Sequence, residues 1–179
     1  MKTFQLAALV AMAACGSEST TFRTTDRSDG SEHAAAVYVV QDTTQVRVWS
    51  NGGYIGSSEE PMTHVGFEIH NTSGHPINFD SDALGLAVFD KYGAPLAPAR
   101  YVAVTPLGPA QVPIASGATA TLDSYFLLPV RPRSVETMRV HWTLQLGDTR
   151  AAQITTFVRD DDYPVSEPPA AAEPAHTST

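Results

Sequence analysis

The sequence predicts an all-β fold, an antiparallel sandwich of two sheets, and three observations predict it. From about residue 36 to 163, apolar residues recur at every second position in short runs, the period of a strand with one face on a core. Gly, Pro, Asn, Asp and Ser bound those runs, and these are the residues that make turns. No stretch in this region keeps apolar residues at i, i+3, i+4 and i+7 over a helical window without a breaker, so any helix is expected to be short. About eight strands at this spacing, each with one wet face, fit two packed antiparallel sheets.

The elements follow in order. Val37-Tyr38-Val39-Val40 and Gln45-Val46-Arg47-Val48-Trp49 are strands, with Asp42-Thr43-Thr44 as a tight connection. Gly52-Gly53-Tyr54-Ile55-Gly56 reads as a loop joining strands; it has no Lys and no following helix, so it is not a phosphate cradle. In His64–His70, Val65, Phe67 and Ile69 point one way and His64, Glu68 and His70 the other. Pairing Ile69 with Ile77 and Phe67 with Phe79 across the Asn71–Gly74 turn keeps the apolar face together and leaves His75 inside the loop. Leu84, Leu86 and Val88 repeat the alternation, ended by the turn Asp90-Lys91-Tyr92-Gly93. Leu122, Ser124, Phe126 and Leu128 line one face of a later strand. Met138–Leu146 is the longest clean strand, closed by Gly147-Asp148, and Ile154 and Val158 are expected on the inner face of the last. Prolines from Pro95 to Pro132 mark strand ends and edges, because proline lacks a ladder donor.

The chain has 179 residues, a formal net charge of −8, 42% hydrophobic residues and one cysteine, Cys15. One cysteine excludes a disulfide framework, a zinc ribbon and a thioredoxin-like redox motif. The acidic balance offers no basic patch to neutralise phosphates, so nucleic acid is not an expected partner. Residues 1–14 read as a secretory signal: Lys2, then a short apolar run ending in Met12-Ala13-Ala14, well short of the roughly 20 residues of a spanning helix. Residues 15–35, rich in Ser, Thr and mixed charges, read as a flexible tether. Residues 36–163 form the sandwich, and residues 164–179 a Pro/Ala-rich disordered tail.

Met12-Ala13-Ala14-Cys15 resembles the lipobox of bacterial lipoproteins, with Met12 where Leu is most common. The resemblance implies cleavage before Cys15, a thioether to diacylglycerol on its sulfur, and anchoring of the chain to a membrane by several acyl chains. Gly16, where an Asp tends to retain such proteins in the inner membrane, leans the expected location towards the outer membrane of the bacterial envelope. A second resemblance covers residues 60 to 158. Phe67–Ile77 with Asn71-Thr72-Ser73, Ile114–Thr121 and Phe126-Leu127-Leu128-Pro129 are similar to the strand-turn-strand pieces of small immunoglobulin-like envelope domains. That resemblance implies a binding or assembly role with another envelope protein. Trp142 would be a core aromatic, without the cysteine pair of disulfide-pinned immunoglobulin domains.

Candidate site residues are few. His64, His70 and His75, with Met62 nearby, are the donors for an alternative function, periplasmic copper or zinc binding. His64 and His70 share a face, but six residues of strand separate them by roughly 20 Å. Asp80-Ser81-Asp82 and Asp160-Asp161-Asp162 lack calcium-loop spacing and read as solvated charge. No nucleophile elbow and no catalytic constellation is present in the sequence, so no enzyme activity and no cofactor are expected. Tyr38, Trp49 and Tyr54 are the candidate aromatic anchors of a partner surface.

Overall fold

A computed structural model describes residues 19–25, 35–56, 58–105 and 110–160. Its strands are β1 (Ser19–Thr20), β2 (Phe22–Thr24), β3 (Ala36–Val40), β4 (Thr44–Ile55), β5 (Pro61–Asn71), β6 (Ile77–Asp80), β7 (Gly85–Phe89), β8 (Arg100–Thr105), β9 (Gln111–Ile114), β10 (Thr119–Leu127), β11 (Thr137–Leu146) and β12 (Thr149–Arg159). The described helical structure is two single 3-10 turns, Ser81–Ala83 and Pro132–Ser134.

The strands form two antiparallel sheets that pack as a sandwich. In the first, β4, β5, β10 and β8 lie side by side, and β3 and β1 share the far edge of β4. In the second, β2, β12 and β11 are neighbours; β6 and β7 pair with successive stretches of β11, and β9 lies beside β6. The predicted alternation sets the registers. Val48 faces Phe67 and Phe67 faces Leu122 across the first sheet, while Leu144 faces Phe79 and Val140 faces Leu86 in the second. The inner faces meet in one core containing Phe67, Phe79, Phe126, Met138, Trp142 and Phe157, all fully buried. Phe67 and Phe79 have ring centroids 5.0 Å apart, and Phe67 meets Trp142 edge-on at 6.2 Å.

The sequence reading is corrected in four places. First, β5 and β6 do not pair with each other: β5 belongs to one sheet and β6 to the other, so Phe67 and Phe79 meet across the core. Asn71, fully buried, holds the crossing. Its Nδ2 donates to the carbonyls of His75, Ile114 and Ala115 at 2.9 to 3.1 Å, and its Oδ1 accepts from the Ser73 amide and hydroxyl. Second, β12 turns Thr155 and Phe157 inward, and Ile154 is 50% exposed. A polar residue takes the inner position because the Thr155 hydroxyl accepts from Trp142 Nε1 and from the Tyr38 hydroxyl, each at 2.9 Å. Third, Gly52, Gly53 and Tyr54 are strand, not loop; a bulge between Ser50 and Gly52 accommodates the extra residue Asn51.

The fourth correction concerns the tether. Ser19–Thr20 pairs with Tyr54 and Gly53 of the first sheet, and Phe22–Thr24 pairs with β12 of the second. Residues 19–25 therefore belong to the sandwich, with Phe22 buried in its core. Ala35, the last residue of the expected tether, is buried as well; Cys15, residues 16–18 and 26–34, and the tail from residue 164 lie outside the described residues. No helix among the described residues is long and apolar enough to cross a membrane.

Candidate functional site

The outward faces of β4, β5 and β10 carry an unusual set of side chains for a wet sheet surface. Three cross-strand rows define it: Trp49–Gly66–Asp123, Gly52–His64–Tyr125 and Tyr54–Met62–Leu127. Residues directly opposite in an antiparallel pair have Cα atoms about 4.5–5.5 Å apart, so the members of each row are immediate neighbours. Gly66 has no side chain, and the indole of Trp49 lies in the space a Cβ would fill. The bulge in β4 advances the register by one residue, which puts Gly52 opposite His64 and brings Tyr54 to the face of Met62. Ser50 secures it: its hydroxyl donates to the His64 carbonyl at 2.9 Å and accepts from the Gly52 amide at 3.1 Å.

His64 is the chemical centre of this face. It points outward from the core, yet its side chain is only 6% exposed. Its ring lies 5.1 Å from that of Tyr125, and its Nε2 is 2.8 Å from Asp123 Oδ1. A carboxylate accepts, so the neutral imidazole carries its proton on Nε2 and leaves Nδ1 as an acceptor. Nδ1 is buried and has no hydrogen-bond partner. Burial pushes the imidazole below its usual value, against the opposing hydrogen bond and charge of Asp123. Burial likewise raises the phenols of Tyr54 and Tyr125, with Tyr125 adding to the first and Asp123 to the second. The face is thus largely uncharged at its centre, with Asp123 at its rim. One row further on, Arg47 and Glu68 pair at 3.1 Å, both about one-third exposed.

Of the residues the sequence singled out, Trp49, Tyr54, Met62 and His64 come together here. His70 is on the same face beyond Glu68, its Nδ1 2.9 Å from the Thr119 hydroxyl. His75 is exposed in the turn after β5. Tyr38 does not join the surface: its ring packs edge-on against Trp142 at 5.3 Å inside the sandwich, and its hydroxyl reaches Thr155. Sequence reasoning missed Asp123, Tyr125 and Gly66, because only the β5–β10 register places them beside His64. Among the described residues, no three of His, Cys, Asp and Glu converge to hold a metal ion. His64 and Asp123 form a hydrogen-bonded pair, and the neighbouring Ser50 hydroxyl is already committed to the bulge.

A depression of about 610 Å³ lies on the opposite side of the molecule, on the outer face of the second sheet, lined by His141, Thr143, Arg150, Ala152 and Ile154. Arg150 is engaged there by Asp80 at 3.1 Å.

No protein-family model matches the chain, and no curated protein matches it. Among solved structures, the chain is similar to the crystal structure of a FixG-related protein from Vibrio parahaemolyticus, at 10% identity and a TM-score of 0.42 over 65% of this chain and 96% of that one. It is also similar to the X-ray structure of the Northeast Structural Genomics Consortium target SoR45, at 12% identity and a TM-score of 0.42 over 79% of this chain and 99% of that one.

Proposed function

We propose that this chain is a bacterial envelope lipoprotein, anchored through a lipidated Cys15, whose immunoglobulin-like sandwich binds another envelope protein without catalysing a reaction. The outer membrane is the favoured location, on the strength of Gly16. The observation that carries the binding role is the outward patch of Trp49, Tyr54, Tyr125 and Met62 around a buried, neutral His64. Large aromatic residues grouped on an outward sheet face have the composition of a binding hot spot.

Two experiments test the two parts. Replacing Cys15 with Ser abolishes incorporation of labelled palmitate and releases the protein from membranes; a wild-type chain that takes up no label ends the lipoprotein reading. A photo-crosslinking residue at Tyr54 captures a discrete envelope adduct that the same residue at Ile154, on the other sheet, does not. Identical adducts from both positions end the assignment of the face. The alternative, copper or zinc binding, has Met62 and His64 two residues apart on one face, a partial donor set. Stoichiometric zinc or copper retained by untagged protein, and lost in His64→Gln, is the result that supports it over the binding role.

A further inference from the structure

The docking of β1 has a consequence for how an anchored molecule sits. Strands β4, β5 and β10 define two ends of the sandwich. At the near end lie β1, the β4–β5 connection with Ser58, Glu59 and Glu60, the 90–93 turn, and the corner from Pro129 to Ser134. At the far end lie the turns at 41–43, 72–76, 115–118 and 147–148. We infer that the near end rests against the bilayer that holds the anchor, a reading that depends on the lipidation of Cys15 proposed above.

The first support is covalent reach. Four residue steps separate Cys15 from Ser19, and an extended chain of that length spans at most about 14 Å. Ser19 is already paired with Tyr54. A lipid on Cys15 thus leaves the near end within about one headgroup layer of the membrane rather than on a twenty-residue leash.

The second support is how charge and apolar surface are distributed. The near end carries Lys91, Arg100, Arg131 and Arg133. Two of its carboxylates are neutralised in place, Asp160 by Arg23 at 3.5 Å and Glu136 by Arg159 at 3.0 Å. Glu59, Glu60 and Asp90 remain at this end as well, and Asp161 and Asp162 lie outside the described residues. The far-end turns carry Asp42 and Asp148 and no Lys or Arg, and Arg150, next along β12, is neutralised by Asp80 at 3.1 Å. An anionic bilayer therefore repels the far end and tolerates the near one. The near end also presents Tyr92, 82% exposed with the Lys91 ammonium 5.0 Å from its ring centroid, and Val102, 49% exposed. An amphipathic aromatic beside a lysine suits the headgroup level of a bilayer.

The test uses the lipidated full chain in vesicles of phosphatidylethanolamine and phosphatidylglycerol bearing a headgroup quencher. A fluorophore is placed on Ser58→Cys or on Gly74→Cys. Gly74 has open space around its Cα, and the two sites stand at opposite ends of β5, about 35 Å apart. Seating predicts that the Ser58 label loses most of its emission while the Gly74 label keeps it; Thr149→Cys serves as the far-end site if Gly74→Cys misfolds. Vesicle flotation with equal quenching at both ends overturns the seating and leaves the anchor standing. Absence of flotation and of acylation in the parent chain overturns the anchor itself.

Discussion

His64 is a titratable group held in its neutral form by its surroundings, and this fixes the sign of a pH effect. Its imidazole is depressed below 6.5 in the folded protein, chiefly by burial. Between the depressed value and 6.5 the unfolded chain binds more protons than the folded one, so stability rises with pH across that window. The contribution is fully present above 6.5, is lost as pH falls through the window, and levels off below the folded value. Protonation would also turn the buried, unpartnered Nδ1 into an unsatisfied donor. His64→Gln keeps an amide donor for Asp123 and does not titrate. Its melting temperature should therefore vary less between pH 7 and 5 than that of the wild type, and parallel curves would contradict the assignment. Beside it, Gly66 offers a second test. A Cβ there would fall within the Trp49 indole, so Gly66→Ala should cost about 1–3 kcal/mol in urea unfolding as an overpacking change. In a Trp49→Ala background the same substitution should be neutral or stabilising, since alanine is the better strand residue. A coupling near zero in that double-mutant cycle would show that the indole does not lie on Gly66.

At the scale of elements, alternation made strands legible and pairing illegible. The pattern of Met138–Leu146 shows which side chains face the core, and they do. The pattern of Phe67–Ile69 and Ile77–Phe79 is equally regular, yet a hairpin and a crossing between sheets bury the same residues. What decides between them is Asn71, whose buried amide is satisfied only by carbonyls from the 75 and 114–115 backbones. In β12, a hydrogen-bonded Thr155 outweighed the preference of Ile154 for the interior. The candidate site was half legible: Trp49, Tyr54, Met62 and His64 are conspicuous residue types, whereas Asp123 and Tyr125 gain meaning only from register. The β4 bulge is the device that aligns the halves. Gly52 sits at φ +91, and a Cβ there would also run into the Thr20 carbonyl of β1. Gly52→Ala should therefore cost about 1–3 kcal/mol from backbone strain alone. It should also undock β1, raising amide exchange at Ser19 and Thr20 well before the core strands; unchanged protection there would refute the contact.

At the scale of the molecule, the first described segment stitches the two sheets. Thr20 pairs with Gly53 in one sheet and Phe22 with Arg159 in the other, and Thr21 between them bonds Asp160 through backbone and hydroxyl at 3.0 and 2.7 Å. A polar, charge-mixed composition marked this stretch as tether, and its one large apolar side chain in the core, Phe22, is what makes it domain. A chain beginning at residue 35 should accordingly lose at least about 3 kcal/mol, the usual cost of removing a buried phenylalanine, with most of that loss reproduced by Phe22→Ala in the intact chain. An unchanged urea midpoint in both would return residues 19–25 to the tether. The magnitude bears on function. At 1.4 kcal/mol per tenfold, docking worth about 3 kcal/mol leaves less than about 1% of molecules with the segment released. An anchored protein would then keep its near end at the membrane almost all of the time. The His64 face runs along the flank of the same three strands, from Met62 at the near end to His70 at the far end; in a molecule seated as proposed, a neighbouring envelope protein would meet it side-on.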